Sequence, residues 1–113
     1  MSEQTHHTLH AQQFDFDVVE RAQDFGERAG VVLSAASTET LIVDVAECSR
    51  VSQRAIEAFI ATVNRAAPDW NERAALHFDN VATASMRECF RKACVTMSMI
   101  AETKPGDDKK EAA

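Results

Sequence analysis

Residues 40–46 read Thr-Leu-Ile-Val-Asp-Val-Ala. The run is short, β-branched and apolar on both faces up to Asp44, the pattern of an interior strand covered on two sides in a parallel sheet. A parallel strand is reached only through a crossover, so the flanking segments have to supply helices. Upstream, Val18, Ala22, Phe25, Ala29, Val32, Leu33 and Ala36 recur at steps of three and four and predict a helix, with Asp15 or Asp17 as its cap. Gly26 and Gly30 weaken that helix by about 1 kcal/mol each relative to Ala and suit close packing. The rival reading of this stretch is a hairpin that pairs 31–33 with 41–43. Downstream, Ala55, Ile56, Phe59, Ile60, Val63 and Ala67 form the stripe of a helix over residues 52–67. Ser49 and Ser52 are both N-cap types, Arg54 and Glu57 face water, and Pro68 closes the helix.

A second strand follows at residues 74–78, then a last helix. Asp79, Asn80, Thr83 and Ser85 offer caps; Met86, Cys89, Phe90, Ala93, Cys94, Met97, Ile100 and Ala101 form its stripe. A weak strand is placed within residues 8–16. The order (β)αβαβα predicts an α/β fold: a mainly parallel sheet flanked by about three helices, with right-handed crossovers. With 113 residues the chain makes one domain. The expected division is a flexible N-terminus over 1–7, the domain over 8–103, and a disordered charged tail over 104–113, where Pro105 and Gly106 punctuate the end.

Charge restricts the partners. The chain carries 12 Lys and Arg against 18 Asp and Glu, a net charge of −6. Nucleic acid is therefore not the expected partner, since neutralising phosphates takes clustered cations, and an anionic membrane surface is disfavoured. No apolar run reaches the roughly 18 residues of a spanning helix, and the polar start carries no signal-peptide segment. A cytoplasmic protein is expected. Cys48, Cys89 and Cys94 are an odd number without a CxxC pair and read as small buried hydrophobes.

Residues 41–59, LIVDVAECSRVSQRAIEAF, resemble the central motif of STAS domains, the family of bacterial anti-sigma factor antagonists. In that motif an apolar strand ends in Asp, and a short loop leads through an Asp-Ser-Ser-Gly-like turn into an apolar helix. Without a gap, Asp44 falls on the strand Asp and Val51 on the apolar residue before the turn. Ser52, Gln53, Arg54 and Ala55 fall on the turn itself, and Ile56, Phe59 and Ile60 on the buried helix face. The resemblance covers about residues 14–95. It implies a non-enzymatic interaction module that binds a cytosolic protein partner through Ser49, Arg50, Ser52, Gln53 and Arg54. The partner it implies is an anti-sigma factor or kinase of the switching type; the alternative is the ATPase of a lipid transporter, with this chain as its accessory subunit. The turn departs from the family at one place: Gln53 stands at the phosphoacceptor position and has no hydroxyl. Either the register slips by one and Ser52 is the acceptor, or the switch is absent.

The turn also invites interest on physical grounds. A helix start leaves N–H groups unpaired and partly positive, so a phosphate on Ser52 would be received there while adding about two negative charges to a docking surface. Arg50 and Arg54 flank it. Elsewhere the pattern is plain. His6, His7 and His10 lie in a polar segment and are not expected to hold metal; His77 reads as a half-buried strand histidine, and Trp70 as a cap on the sheet edge. Asp15, Asp17, Glu20, Asp24 and Glu27 read as a solvated acidic face. With three glycines in all, no GxGxxG and no GxxxxGK[ST], no nucleotide or other cofactor is expected. Two further readings stand: a small ligand-binding or enzymatic α/β domain using His77 and carboxylates, and a homodimer through the last helix, which is compatible with the interaction module.

Overall fold

The computed structural model describes residues 5–105. Four strands and three helices alternate: β1 (Thr5–His10), α1 (Val19–Ser34), β2 (Thr38–Asp44), α2 (Gln53–Ala66), β3 (Ala75–Val81), α3 (Ala84–Thr96) and β4 (Glu102–Pro105). The strands lie in the order β1-β2-β3-β4 and every pair is parallel. The expected α/β class is therefore the observed one. β2 is interior and pairs in parallel with β3, with Val43 opposite Phe78 and fully buried.

Sequential order with right-handed crossovers places all three helices on one face of the sheet. The burial pattern agrees: Leu41, Val43, Leu76 and Phe78 are buried, while Thr40, Ile42, His77 and Asp79 between them are half-buried. The expectation that β2 is covered on both faces thus fails at Ile42. The second face is lined by Thr8, His10, Thr40, Asp44, His77 and Asp79, polar enough to face water.

α1 is a helix through Val31–Leu33, so the hairpin reading falls. Ala36 lies beyond the helix end and is exposed. Neither Asp15 nor Asp17 caps it: the N-cap is Val18, with no side-chain hydrogen bond. Asp15 instead accepts from the Gln12 N–H at 2.8 Å and stands 3.4 Å from Arg21. The glycines do serve close packing. A Cβ on Gly26 would lie 2.9 Å from the Thr62 Cβ, and one on Gly30 2.5 Å from the Ala66 Cβ. α2 carries the expected stripe, and Ser52 caps it by accepting from the Ala55 N–H at 3.1 Å.

Under the helices sits an aromatic cluster built on Phe16, a loop residue with no exposed surface. Its ring meets Phe25, Phe59, Phe78 and Phe90 edge-on at centroid distances of 5.0–6.0 Å, so one side chain joins β3 to all three helices. Trp70 is 1% exposed in a short 3-10 turn and donates from Nε1 to the Asn64 carboxamide oxygen at 2.8 Å.

The ends differ from expectation. β1 begins at Thr5, earlier than residue 8, and stops at His10, because 12–17 turn toward α1. Of the N-terminal segment, 1–4 lie outside the described residues. Thr83, of the four candidates, caps α3, accepting from the Met86 N–H at 3.1 Å; Asp79 and Asn80 belong to β3. α3 stops at Thr96, so Ile100 is not on its stripe and is 94% exposed. The stop has a clear cause: Ser98 takes φ 54°, its N–H donates to the Val95 carbonyl and the Met99 N–H to that of Cys94, which closes the helix and tucks Met99 inward. Glu102–Pro105 then adds a fourth strand at the start of the expected tail; 106–113 lie outside the described residues.

Candidate functional site

The carboxyl ends of the strands meet at one edge. Register aligns His10, Asp44 and Asp79 across β1, β2 and β3 on the helix-free face. Asp44 Oδ1 accepts from the Ala46 N–H at 2.9 Å and from the Asn80 side-chain amide at 3.0 Å, and Oδ2 lies 3.4 Å from His10 Nδ1. Partial burial opposes the charge, but the hydrogen bonds from Asn80 and Ala46, together with His10, outweigh it and hold the carboxyl below its ordinary 3.8. Asn80 reaches Asp44 from a left-handed conformation, φ 65°, where the β3–β4 register slips; Asn tolerates that region better than most residues. Asp79 Oδ1 is buried and has no hydrogen-bond partner among the described residues.

Two loops lock together above this edge. From β1–α1 the Ala11 N–H donates to the Asp44 carbonyl at 2.9 Å, and the Gln12 carbonyl accepts from the Cys48 thiol at 3.3 Å. Gln13 donates to the Ser49 hydroxyl oxygen at 3.2 Å. The Ser52 N–H donates to the Phe16 carbonyl at 2.8 Å, and its hydroxyl donates to the Asp17 carbonyl at 3.4 Å. Arg50 Nε stands 3.6 Å from the Asp17 carboxylate. The start of α2 is thus held by the loop that also carries Phe16 into the core.

All five residues singled out from the sequence gather here, and they do different work. Ser49 and Arg50 are exposed on the loop. Ser52 is half-buried, its hydroxyl engaged both as cap and as donor. Gln53 donates to Glu57 Oε2 at 2.8 Å, one turn along. Arg54 is exposed, with no ion pair among the described residues. Asp17 holds Arg50, so Arg54 is the cation of the pair left to solvent.

Sequence reasoning missed Phe14 and Val18. Each is 38% exposed, and they flank the Asp17 that holds Arg50, beside the α2 cap. Val18 read as the start of the α1 stripe, and Phe14 fell within the weak strand placed over residues 8–16, so neither was marked as surface.

Cys48 is buried, and that burial, with the charges of Asp15, Asp44 and Glu47, pushes its thiol up to about 12; it stays protonated and is no nucleophile at neutral pH. Among the described residues no group of three His, Cys, Asp or Glu side chains is placed to hold a metal ion, and no helix is long and apolar enough to cross a membrane. His77, half-buried as expected, stands 3.4 Å from Glu102 on the neighbouring strand β4. No protein-family model, curated protein or solved structure matches this chain.

Proposed function

We propose that the chain is a non-enzymatic, STAS-like interaction module of bacterial cytosolic regulation. It binds a protein partner with the loop before α2 and that helix's first turn. The reading rests on the resemblance of residues 41–59 and on one observation above all. The helix start is fixed by two interlocked loops, and the loop that fixes it carries an exposed apolar pair, Phe14 and Val18, on either side of the Asp17 that holds Arg50. An aromatic centre with a polar rim that includes Arg is the composition of a protein-docking patch. The partner class is an anti-sigma factor or kinase of the switching type, or a transporter ATPase.

The local chemistry favours docking without modification at the turn. Gln53 has no hydroxyl, and the Ser52 hydroxyl already caps α2 and contacts the Asp17 carbonyl. Ser52 remains the target nearest the acceptor position, and fragmentation mass spectrometry of the protein from its own cells reads its state directly.

The test is a pulldown followed by calorimetry on variants. Asp is itself a competent N-cap but cannot donate to the Asp17 carbonyl as the Ser52 hydroxyl does, so Ser52→Asp should lower stability by about 1–2 kcal/mol and still fold. It also sets a charge against an interface tuned to a neutral side chain, which should weaken binding at least about tenfold. Phe14→Ala should weaken binding as well, in a variant that still folds by its thermal melt. Unchanged affinity in both variants would overturn the reading.

A further inference from the structure

β4 is the outermost strand. It pairs with β3 on one side, and among the described residues no strand lies against its other edge. A free edge is a row of unpaired N–H and C=O groups that invites another strand, and charges of one sign commonly block it. Here the signs alternate. Glu102 and Lys104 are two residues apart, hence on one face of the strand, with Thr103 between them, and their side chains are 64% and 55% exposed. Antiparallel pairing of two copies about a two-fold axis at Thr103 sets each Glu102 opposite the other copy's Lys104. Parallel pairing in register would set like against like. The strand is therefore complementary in charge to itself in one orientation only. β1, the opposite edge of the sheet, carries no Asp, Glu, Lys or Arg.

Apolar surface adjoins the same edge. Ile100, 94% exposed, stands on the rim of a depression of about 430 Å³ floored by Trp70 and Leu76. Val95, 66% exposed, lies in the last turn of α3, which packs on β4.

We propose that the β4 edge is a homodimer interface. Two copies pair antiparallel about Thr103, and their four-stranded sheets join into one. Glu102 now lies 3.9 Å from Lys104 of its own strand and 3.4 Å from His77; in the dimer it exchanges the first contact for the other copy's Lys104 and keeps the second. An isologous contact of this kind closes at two copies. It leaves the start of α2 free, so it stands or falls independently of the docking proposal.

Sedimentation equilibrium of the full chain across the micromolar range tests it. The wild type should run at twice the chain mass. Glu102→Lys and Lys104→Glu each set like charges opposite across the axis, and each should raise the dimer dissociation constant at least about tenfold. An equal mixture of the two variants should recover the dimer, as should the double exchange within one chain. Thr103→Cys should form an interchain disulfide under mild oxidation, an independent report of the axis. A wild type at one chain mass would overturn the proposal. So would single variants that dimerise like the wild type, or a mixture that fails to recover the dimer.

Discussion

Where α1 crosses α2, the two helices meet backbone to side chain. Gly26 lies against Thr62 and Gly30 against Ala66, so closely that an added methyl would overlap both. At the far end of the sheet β4 has four residues, and Ile100 just before it is almost wholly exposed. Each region carries apolar side chains, yet only in one are they packed against a neighbouring element. In the α1–α2 seam the two helices are in direct contact, so an added methyl is felt as a clash. At the β4 end the apolar atoms are still in water, so their removal costs the fold little, and what they can do lies outside the single chain. The comparison separates residues that hold the fold from residues that are free to bind.

The sharpest break of that comparison is Phe59→Ala. Phe59 is fully buried between Phe16, Phe25 and Phe78, and its truncation should cost about 3–5 kcal/mol. Against a total of about 5–15 kcal/mol, a chemical melt should show a large drop in midpoint; an unchanged midpoint would remove Phe59 from the core. Gly30→Ala comes next. The methyl must displace Ala66, an overpacking cost of about 1–3 kcal/mol, against which the gain in helix propensity is about 1 kcal/mol. The net is a destabilisation, read as a lower melting temperature; a rise would mean that the helices separate freely.

A smaller effect belongs to the strand ends. The Asp44 carboxyl is held below 3.8 in the folded state. A depressed folded value adds stability that is present above the unfolded value and lost as pH falls through the folded one. Wild type should therefore exceed Asp44→Asn in melting temperature near neutral pH, and the gap should close below pH 3.8. A gap that is constant with pH would show that the charge is not what Asn80 and Ala46 stabilise. Smallest of all is Ile100→Ser, which should leave monomer stability within about 0.5 kcal/mol. A larger loss would show the β4 end to be part of the core after all.

How far the chain can be read without its fold differs from residue to residue. Ser52 and the α2 stripe were legible because capping and a 3.6-residue period are local, and the cap formed where the sequence put it. Residues 40–46 declared an interior strand because an apolar β-branched run has nowhere else to go. β1 was nearly silent: Thr5–His10 holds three histidines and one Leu, and only pairing with β2 makes it a strand. β4 was hidden for a similar reason, since a short charged edge strand has the composition of a tail. At the candidate site, Ser49, Arg50, Ser52, Gln53 and Arg54 could be named from a continuous stretch. Phe14 and Val18 could not, because a separate loop brings them there through the Gln13–Ser49, Phe16–Ser52 and Asp17–Arg50 contacts.

By itself, then, the sequence determined the central alternation from α1 to α3, the parallel pairing of its two inner strands, and the capped start of α2, because each follows from periodicity or from neighbours within one turn. Tertiary structure alone decided that the helices share one face, that Phe16 is the centre of the core, and which apolar side chains stay in water. Those outcomes depend on which segments meet in space, and a side chain such as Phe16, in a loop without periodicity, carries no local mark of the four rings it will join.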